Sequence, residues 1–250
     1  MSRQPEGPPP PPVVQRMRVR YTKRGRLRFT SHRDFARAFE RAIHRAGVPI
    51  AFSAGFSPHP KVSYAGAAPT GVASEAEYLE IGLAETRTPE SVRDDLDAAL
   101  PPGLDVVEVV EVVPGGPSLA DHIEASWWRI VLPGVDQAAA ETAFAAFMAQ
   151  DSIVVDRPTK DGVKPVDARA SVVSGGVVAA ASGAGEPGCA TLDVVVRHAI
   201  PAVRPDDVMT ALRRAAGLST PVTPVVTRLA QGLLDAAPPL DGRRLIDPLK

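Results

Sequence analysis

One cysteine, Cys189, is all the chain has. No intramolecular disulfide can form, and no set of thiolates exists to hold zinc or an iron–sulfur cluster. Cys189 itself reads as a small buried residue. No stretch reaches the roughly 18 apolar residues that a membrane-crossing helix needs. No basic segment leads into an apolar one near Met1, so no secretory signal is expected, and the cytoplasm is the expected location. The motifs G-x-S-x-G, G-x-x-x-x-G-K-[ST], H-E-x-x-H and C-x-x-C are all missing. Their absence excludes a nucleophile elbow, a P-loop, a zincin site and a thioredoxin-type redox pair. The five histidines, His32, His44, His59, His122 and His198, are scattered without metal-ligand spacing. Neither a metal nor another cofactor is expected.

What is present is ordinary in bulk and uneven in detail. The chain's 250 residues suffice for one large domain or two of usual size, and 44% hydrophobic with 23% charged residues is a soluble globular composition. The net charge of −1 conceals a division. Residues 1–70 carry 13 Lys/Arg against three Asp/Glu, and the remaining 180 carry 15 against 26. Such asymmetry points to a nucleic acid or acidic surface at the basic end. An internal contact between basic and acidic parts is the alternative.

The basic end is concentrated in 16–67. Met17, Val19 and Tyr21 alternate with Arg16, Arg18 and Arg20, and Leu27 and Phe29 alternate with Arg26 and Arg28. Period-two alternation on both sides of Lys23-Arg24-Gly25 predicts a hairpin, or one long bent strand. Either arrangement gives one apolar face and one row of arginines, with Arg20 facing Arg28 in the hairpin. Like charges directly opposite each other destabilise a sheet, so the row is expected to be neutralised by a polyanion, unless it is simply a solvated outer face.

In chain order, 1–15 is a Pro-rich tail. Ser31 caps a helix whose apolar side is Phe35, Ala38, Phe39, Ala42, Ile43 and Ala46, with Arg33, Arg37, Arg41 and Arg45 at i+4 steps on another side. Gly47 and Pro49 stop it. Strands are expected at 62–67 and 77–83, a helix from Thr88-Pro89 to Leu100, and a strand at 104–113. The order is β-α-β-β-α-β. After a linker at 114–124 it repeats: a strand at 126–132, a helix at 136–150, strands at 153–156, 166–173 and 191–197, a helix from Pro205, and a last strand at 222–229. Gly175-Gly176 and the residues to Gly188 read as a loop or loosened hairpin. The expected fold class is α+β, two tandem ferredoxin-like (βαββαβ) domains with antiparallel sheets at 16–113 and 125–235, followed by a loop or tail at 236–250.

The loop Ser53-Ala54-Gly55-Phe56-Ser57-Pro58-His59-Pro60-Lys61 is the other candidate site. Two prolines stiffen it. Phe56 could stack a base, His59 could stack or donate, and Lys61 could meet phosphate. With the arginine row this gives a nucleic-acid-binding set of Arg18, Arg20, Lys23, Arg24, Arg26, Arg28, Arg33, Phe56, His59 and Lys61. Surface placement of His59, with Phe56 capping the core, is the plainer alternative. His59 and His32 are the only candidates for a catalytic group, and neither has a partner visible in the sequence; His32 reads mainly as a helix-start residue. Glu77 and Glu80 have opposite strand parity, so Glu75, Glu77 and Glu80 read as an acidic, solvated strand. Of Trp127 and Trp128, one belongs in the core.

Arg20–Phe29 (R-Y-T-K-R-G-R-L-R-F), Ser31–Phe35 (S-H-R-D-F), Ser53–Ala65 (S-A-G-F-S-P-H-P-K-V-S-Y-A) and Glu77–Ile81 (E-Y-L-E-I) together resemble the radical-SAM-associated family of DUF2344 domains. The resemblance is strong from Val19 to Val113 and loose beyond. Ser57 and Tyr64 stand where the family commonly has Asn and Phe. It implies a radical SAM enzyme as partner and a gene neighbourhood shared with ribonuclease E/G. The family has no established activity or active residues, so no catalytic residue is carried over. This chain lacks C-x-x-x-C-x-x-C and cannot hold the radical SAM cluster itself. The loop also faintly resembles a segment of the CRISPR Cas6 family, which has tandem ferredoxin-like domains. That family's glycine-rich C-terminal loop is missing here, so RNA cleavage is not carried over.

The expected function is therefore a radical-SAM-associated accessory protein, more a binder than an enzyme, that binds or presents RNA for modification or processing. Two alternatives stay open. One is a metal-independent RNA-processing enzyme using His59 or His32, marked by cleavage that survives chelator and is lost in His59→Ala. The other is a protein-docking subunit without RNA affinity, its basic face meeting an acidic enzyme surface.

Overall fold

A computed structural model describes residues 10–113, 115–160, 162–178, 188–235 and 245–250 of the chain. The protein is mixed α and β, with antiparallel sheets and five α-helices among the described residues. It divides into two compact units, Met1–His122 with Leu249–Lys250, and Ile123–Pro248.

The first unit contains β1 (Gln15–Lys23), α1 (His32–Arg45), β2 (Val62–Ala65), β3 (Ala73–Leu83), α2 (Pro89–Ala99) and β4 (Val106–Glu111). Its strands lie in the order β4-β1-β3-β2, each pair antiparallel. The parity read from β1 holds: Met17, Val19 and Tyr21 are buried. They pack beneath Phe35, Phe39, Ala42 and Ile43 of α1 and Val92, Leu96 and Ala99 of α2. The Ser31 hydroxyl caps α1, accepting from the Asp34 amide at 3.2 Å and donating to the Asp34 carboxylate at 2.6 Å. Gly47, at φ +63°, takes the left-handed position after the helix, where a side chain would be strained. Pro89 opens α2 behind Thr88, whose hydroxyl accepts from the Ser91 amide.

The expected hairpin does not form, nor does one long strand. After β1 the chain makes a 3-10 turn over Gly25–Phe29 and enters α1. Both edges of β1 are occupied, by β3 and β4, so no edge is left for a partner strand. The Arg24 amide bonds to the Gly103 carbonyl at 2.8 Å, and Gly25 turns away at φ +55°. The tail is also shorter than expected. Residues 1–9 lie outside the described residues, but the Val14 amide bonds to the Leu83 carbonyl and buried Gln15 begins β1. The strand thought to be acidic and solvated is largely buried at Ala76 to Leu79, Ile81 and Leu83, and Glu77 accepts from the Ala68 amide at 3.1 Å.

The second unit contains β5 (Ala125–Pro133), α3 (Gln137–Met148), β6 (Val154–Thr159), β7 (Gly162–Asp167), the single turn α4 (Ala168–Ser171), β8 (Val172–Val178), β9 (Cys189–Arg197), α5 (Pro205–Ala216), β10 (Val225–Leu234) and β11 (Leu245–Ile246). Its sheet runs β10-β5-β9-β8, again antiparallel. β6 and β7 pair only with each other, as a separate ribbon. The segment 166–173 is thus not one strand. The Asp167 carboxylate accepts from Ser152 at 2.6 Å, the Ile153 amide at 3.1 Å and the Ala170 amide at 3.0 Å, which turns the chain into α4. The ribbon is held to α5 by Arg157, which pairs with Asp207 and donates to the Ala202 carbonyl.

Gly175 and Gly176 belong to β8 rather than to a loop. A Cβ at Gly175 would lie 2.5 Å from the Asp193 carbonyl oxygen and 2.8 Å from Phe144, so only glycine lets the strand pass there. The expected loop over 179–187 lies outside the described residues, as does 236–244 of the expected tail. Leu245–Ile246 is not a trailing end but a strand paired with β10. Trp128 is buried and Trp127 half-buried, as their parity required, whereas Cys189 is half-buried and not a core residue.

Candidate nucleic-acid interface

The arginines of β1 share one face of the strand, but the neighbouring strands neutralise them. Arg16 pairs with Glu80 at 3.0 Å, and Arg18 approaches the other oxygen of the same carboxylate at 3.6 Å. Arg18 also donates to the Pro117 carbonyl at 2.6 Å. Arg20 lies opposite Glu108 of β4, 3.7 Å from its carboxylate. Arg24 is gripped by Glu75 and lies 3.1 Å from Asp105. The hydrogen bonds that Arg24 donates to Glu75, ahead of the attraction of Asp105, raise the Arg24 pKa. Lys23 is buried and donates to the carbonyls of Ala68 at 3.1 Å and Pro69 at 3.2 Å. The row expected to await a polyanion is therefore largely an internal ion-pair lattice. The missed signal was parity on β3 and β4: Glu80 and Glu108 fall on the same face as the arginines.

Two other predicted residues keep their charge outward. Arg26 and Arg33 are exposed, with no carboxylate partner among the described residues. Arg28 lies over the ring of Phe29, 4.8 Å from its centroid, and Phe29 is 58% exposed. Arg37 and Arg41, which the expected site set did not include, are exposed and unpaired in the same sense.

The motif loop is closed at its neck. The Ser53 amide donates to the His59 carbonyl at 2.9 Å, the His59 amide donates to the Ser53 hydroxyl at 3.0 Å, and Phe52 and Pro60 form a bridge. Below the neck, Ala51 and Lys61 exchange backbone bonds with each other and with Gly82 of β3. Phe56 does not cap the core; it is 71% exposed at the tip. His59 and Lys61 are exposed on the returning arm. A cavity of about 320 Å³ opens beside that arm, lined by Arg16, Ser53, His59, Lys61, Ser63 and Glu80 among others. The fold thus gathers His59 and Lys61 with Arg16, and separates them from Arg20 to Arg28.

The catalytic candidates are less well supplied. His32 packs edge-on against Tyr64, 4.9 Å between ring centroids. Neither His32 nor His59 has a side-chain hydrogen-bond partner among the described residues. Burial, with a smaller contribution from nearby Glu40, pushes the Tyr64 hydroxyl well above its ordinary pKa. In the second unit, Ser126 Oγ lies 2.8 Å from His198 Nε2, a pair the sequence could not suggest across 72 residues. Ser126 is 1% exposed, so this pair fastens β5 to the end of β9 and offers no nucleophile to a substrate. No cluster of His, Cys, Asp and Glu among the described residues has metal-binding geometry.

A family model described as an uncharacterised protein conserved in bacteria, DUF2344, matches residues 16–205. The chain belongs to the DUF2344 family. The match carries this DUF2344 protein's kinship well past Val113, through the ribbon and into α5. No curated protein matches it. Among solved structures, an unknown protein from Galdieria sulphuraria is similar at 13% identity, over 88% of this chain and 99% of that one, with a TM-score of 0.25. The first two RRM domains of the yeast poly(U) binding protein Pub1 are similar at 10% identity, over 84% and 98%, with a TM-score of 0.20.

Proposed function

We propose that this DUF2344 protein is a tandem pair of ferredoxin-like units that acts as a cytoplasmic accessory to a radical SAM enzyme and binds or presents RNA for it. The fold reading is supported by the two sheets, β4-β1-β3-β2 and β10-β5-β9-β8, which are the same permutation in chain order once the β6–β7–α4 segment is set aside as an insertion. The function rests above all on one observation. The motif loop is tied shut at its neck, holds Phe56 outward at its tip, and sets His59 and Lys61 on a cavity that Arg16 also lines. An exposed aromatic ring on the same loop as an outward lysine suits an unstacked base with its phosphate. The radical SAM partner is an inference from the family resemblance.

The test is fluorescence anisotropy of the purified protein with total tRNA and small structured RNAs over a salt series. Wild type should bind at micromolar concentration or tighter with a steep salt dependence. Phe56→Ala and His59→Ala/Lys61→Ala should each weaken binding. Absence of binding at low salt sinks the RNA reading. The purified radical SAM partner, added to the same titration, should bind the RNA-loaded protein.

A further inference from the structure

We infer that the exposed face of α1 is the track for a single-stranded stretch of RNA, whose phosphates sit on Arg33, Arg37 and Arg41. This rests on the RNA reading above and names a second surface for it, apart from the motif loop.

The three arginines recur at i+4 on a helix that rises about 1.5 Å per residue, so successive guanidinium groups start about 6 Å apart. At 100° per residue they fall within about 80° of one another, on one side of the helix. All three are exposed and have no ion-pair partner among the described residues. The carboxylates of α1 do not answer them. Asp34 is held by the Ser31 hydroxyl, and Glu40, though exposed, makes no ion pair. Arg45, one further step along, donates to the Ala99 carbonyl at 3.0 Å and is tied to the end of α2.

Left alone, the arrangement is unfavourable. Like charges at i and i+4 repel. Arg33 also lies in the first turn, where the helix dipole disfavours a cation. A row of phosphates removes both penalties. Arginine is suited to this because its fork can give two parallel hydrogen bonds to each phosphate. What favours RNA over an acidic protein surface is the N-terminal end of the track. Phe29, two residues before the cap, presents an exposed ring with the Arg28 guanidinium stacked on it. Cationic side chains beside a stacking aromatic ring are the combination that binds single strands with little sequence preference.

The experiment measures anisotropy of a labelled single-stranded RNA oligonucleotide, with the full chain, from low to moderate salt. It compares wild type with Arg33→Gln/Arg37→Gln/Arg41→Gln, with Phe29→Ala, and with Arg20→Gln on β1. Each phosphate contact to a single strand contributes about 0.7 to the log–log salt slope. The triple variant should therefore lose about 2 from the slope and bind at least tenfold more weakly at low salt. Phe29→Ala should weaken binding at unchanged slope, and the β1 variant should bind as wild type. Single Arg33→Gln and Arg41→Gln variants, each removing about a third of the slope change, carry the test if the triple variant folds poorly. Wild-type binding by a well-folded triple variant overturns the track and leaves the RNA reading standing. No RNA binding by wild type overturns both. Competition by poly-glutamate equal to that by RNA of matched charge overturns the track in favour of an acidic protein surface.

Discussion

Arg16, Arg18 and Arg20 on β1 and Arg33, Arg37 and Arg41 on α1 are the same side chain at regular spacing in one unit, and they end in opposite electrostatic states. The strand row lies between β3 and β4, whose cross-strand registers bring Glu80 and Glu108 beside it. The helix row faces away from the rest of its unit and meets no carboxylate among the described residues. A sheet supplies each residue with two lateral neighbours, and those neighbours can carry charge. The exposed side of a helix supplies neighbours only from its own turns. Regular arginine spacing thus says little about availability until the element, and its edges, are known.

The strand row depends most on Glu80, which pairs with both Arg16 and Arg18. Arg18 and Glu80 have side chains only 10% and 13% exposed, so Glu80→Gln leaves a mostly buried guanidinium without its carboxylate. The expected loss is about 3 kcal/mol, the lower end of the cost of breaking a buried pair, read from the urea midpoint at unchanged slope. Replacing both partners, Arg18→Met/Glu80→Leu, should recover most of that loss, because the desolvated charges leave together. Neutralising the helix row should act in the other direction. Arg33→Gln/Arg37→Gln/Arg41→Gln removes two i,i+4 repulsions of about 0.2–0.5 kcal/mol each, so the free protein should gain up to about 1 kcal/mol at low salt. That gain should fade when salt screens the exposed charges. Arg20→Gln/Glu108→Gln, a pair 28% and 39% exposed, should change stability by less than about 0.5 kcal/mol.

The smallest effect is expected in the second unit, where pH replaces salt as the probe. Burial, then the positive charge of Arg228, lowers the His198 pKa below 6.5, against a hydrogen bond to the Ile123 backbone that raises it. The neutral ring is the folded form, so the unfolded chain takes up the proton first as pH falls. Stability from this site is present above pH 6.5 and is lost progressively below it. A melting temperature that falls on acidification in wild type, and falls less in His198→Gln, checks the sign.

Much of this architecture could be read from the residues alone, because most of its elements obey one local rule each. The period-two run at Met17 to Tyr21, the Ser31 cap, Gly47 after α1 and Pro89 at the start of α2 are all short-range signals, and all hold. The misreadings came where a long-range contact decided. Leu27 and Phe29 continued the alternation of β1, yet the occupied edges of β1 turned them into a 3-10 turn. Asp167 drew its partners from Ser152 and Ile153 and divided one apparent strand into two. Pro158 and Pro165 were a legible hint of that ribbon, since proline cannot donate within a central sheet. At the candidate site, the surface placement of His59 was readable from loop chemistry, whereas Phe56 could equally have capped the core and is instead exposed. The cancellation of the β1 arginines was not readable, because it depends on which strands flank β1, and chain order does not state that. The helix row was visible at i+4, but nothing in the sequence ranked it above the strand row.

The neck of the motif loop has one more consequence. Fixing a backbone residue costs roughly 1–2 kcal/mol of conformational entropy. The two Ser53–His59 hydrogen bonds and the Phe52–Pro60 bridge meet much of that cost for 53–59 when the chain folds. A ligand arriving at Phe56 and His59 encounters a surface that is already shaped, so its affinity and its dissociation rate are set by contacts rather than by loop ordering. Loosening the neck with Ser53→Ala would shift that burden onto the binding step without touching any of the three exposed side chains.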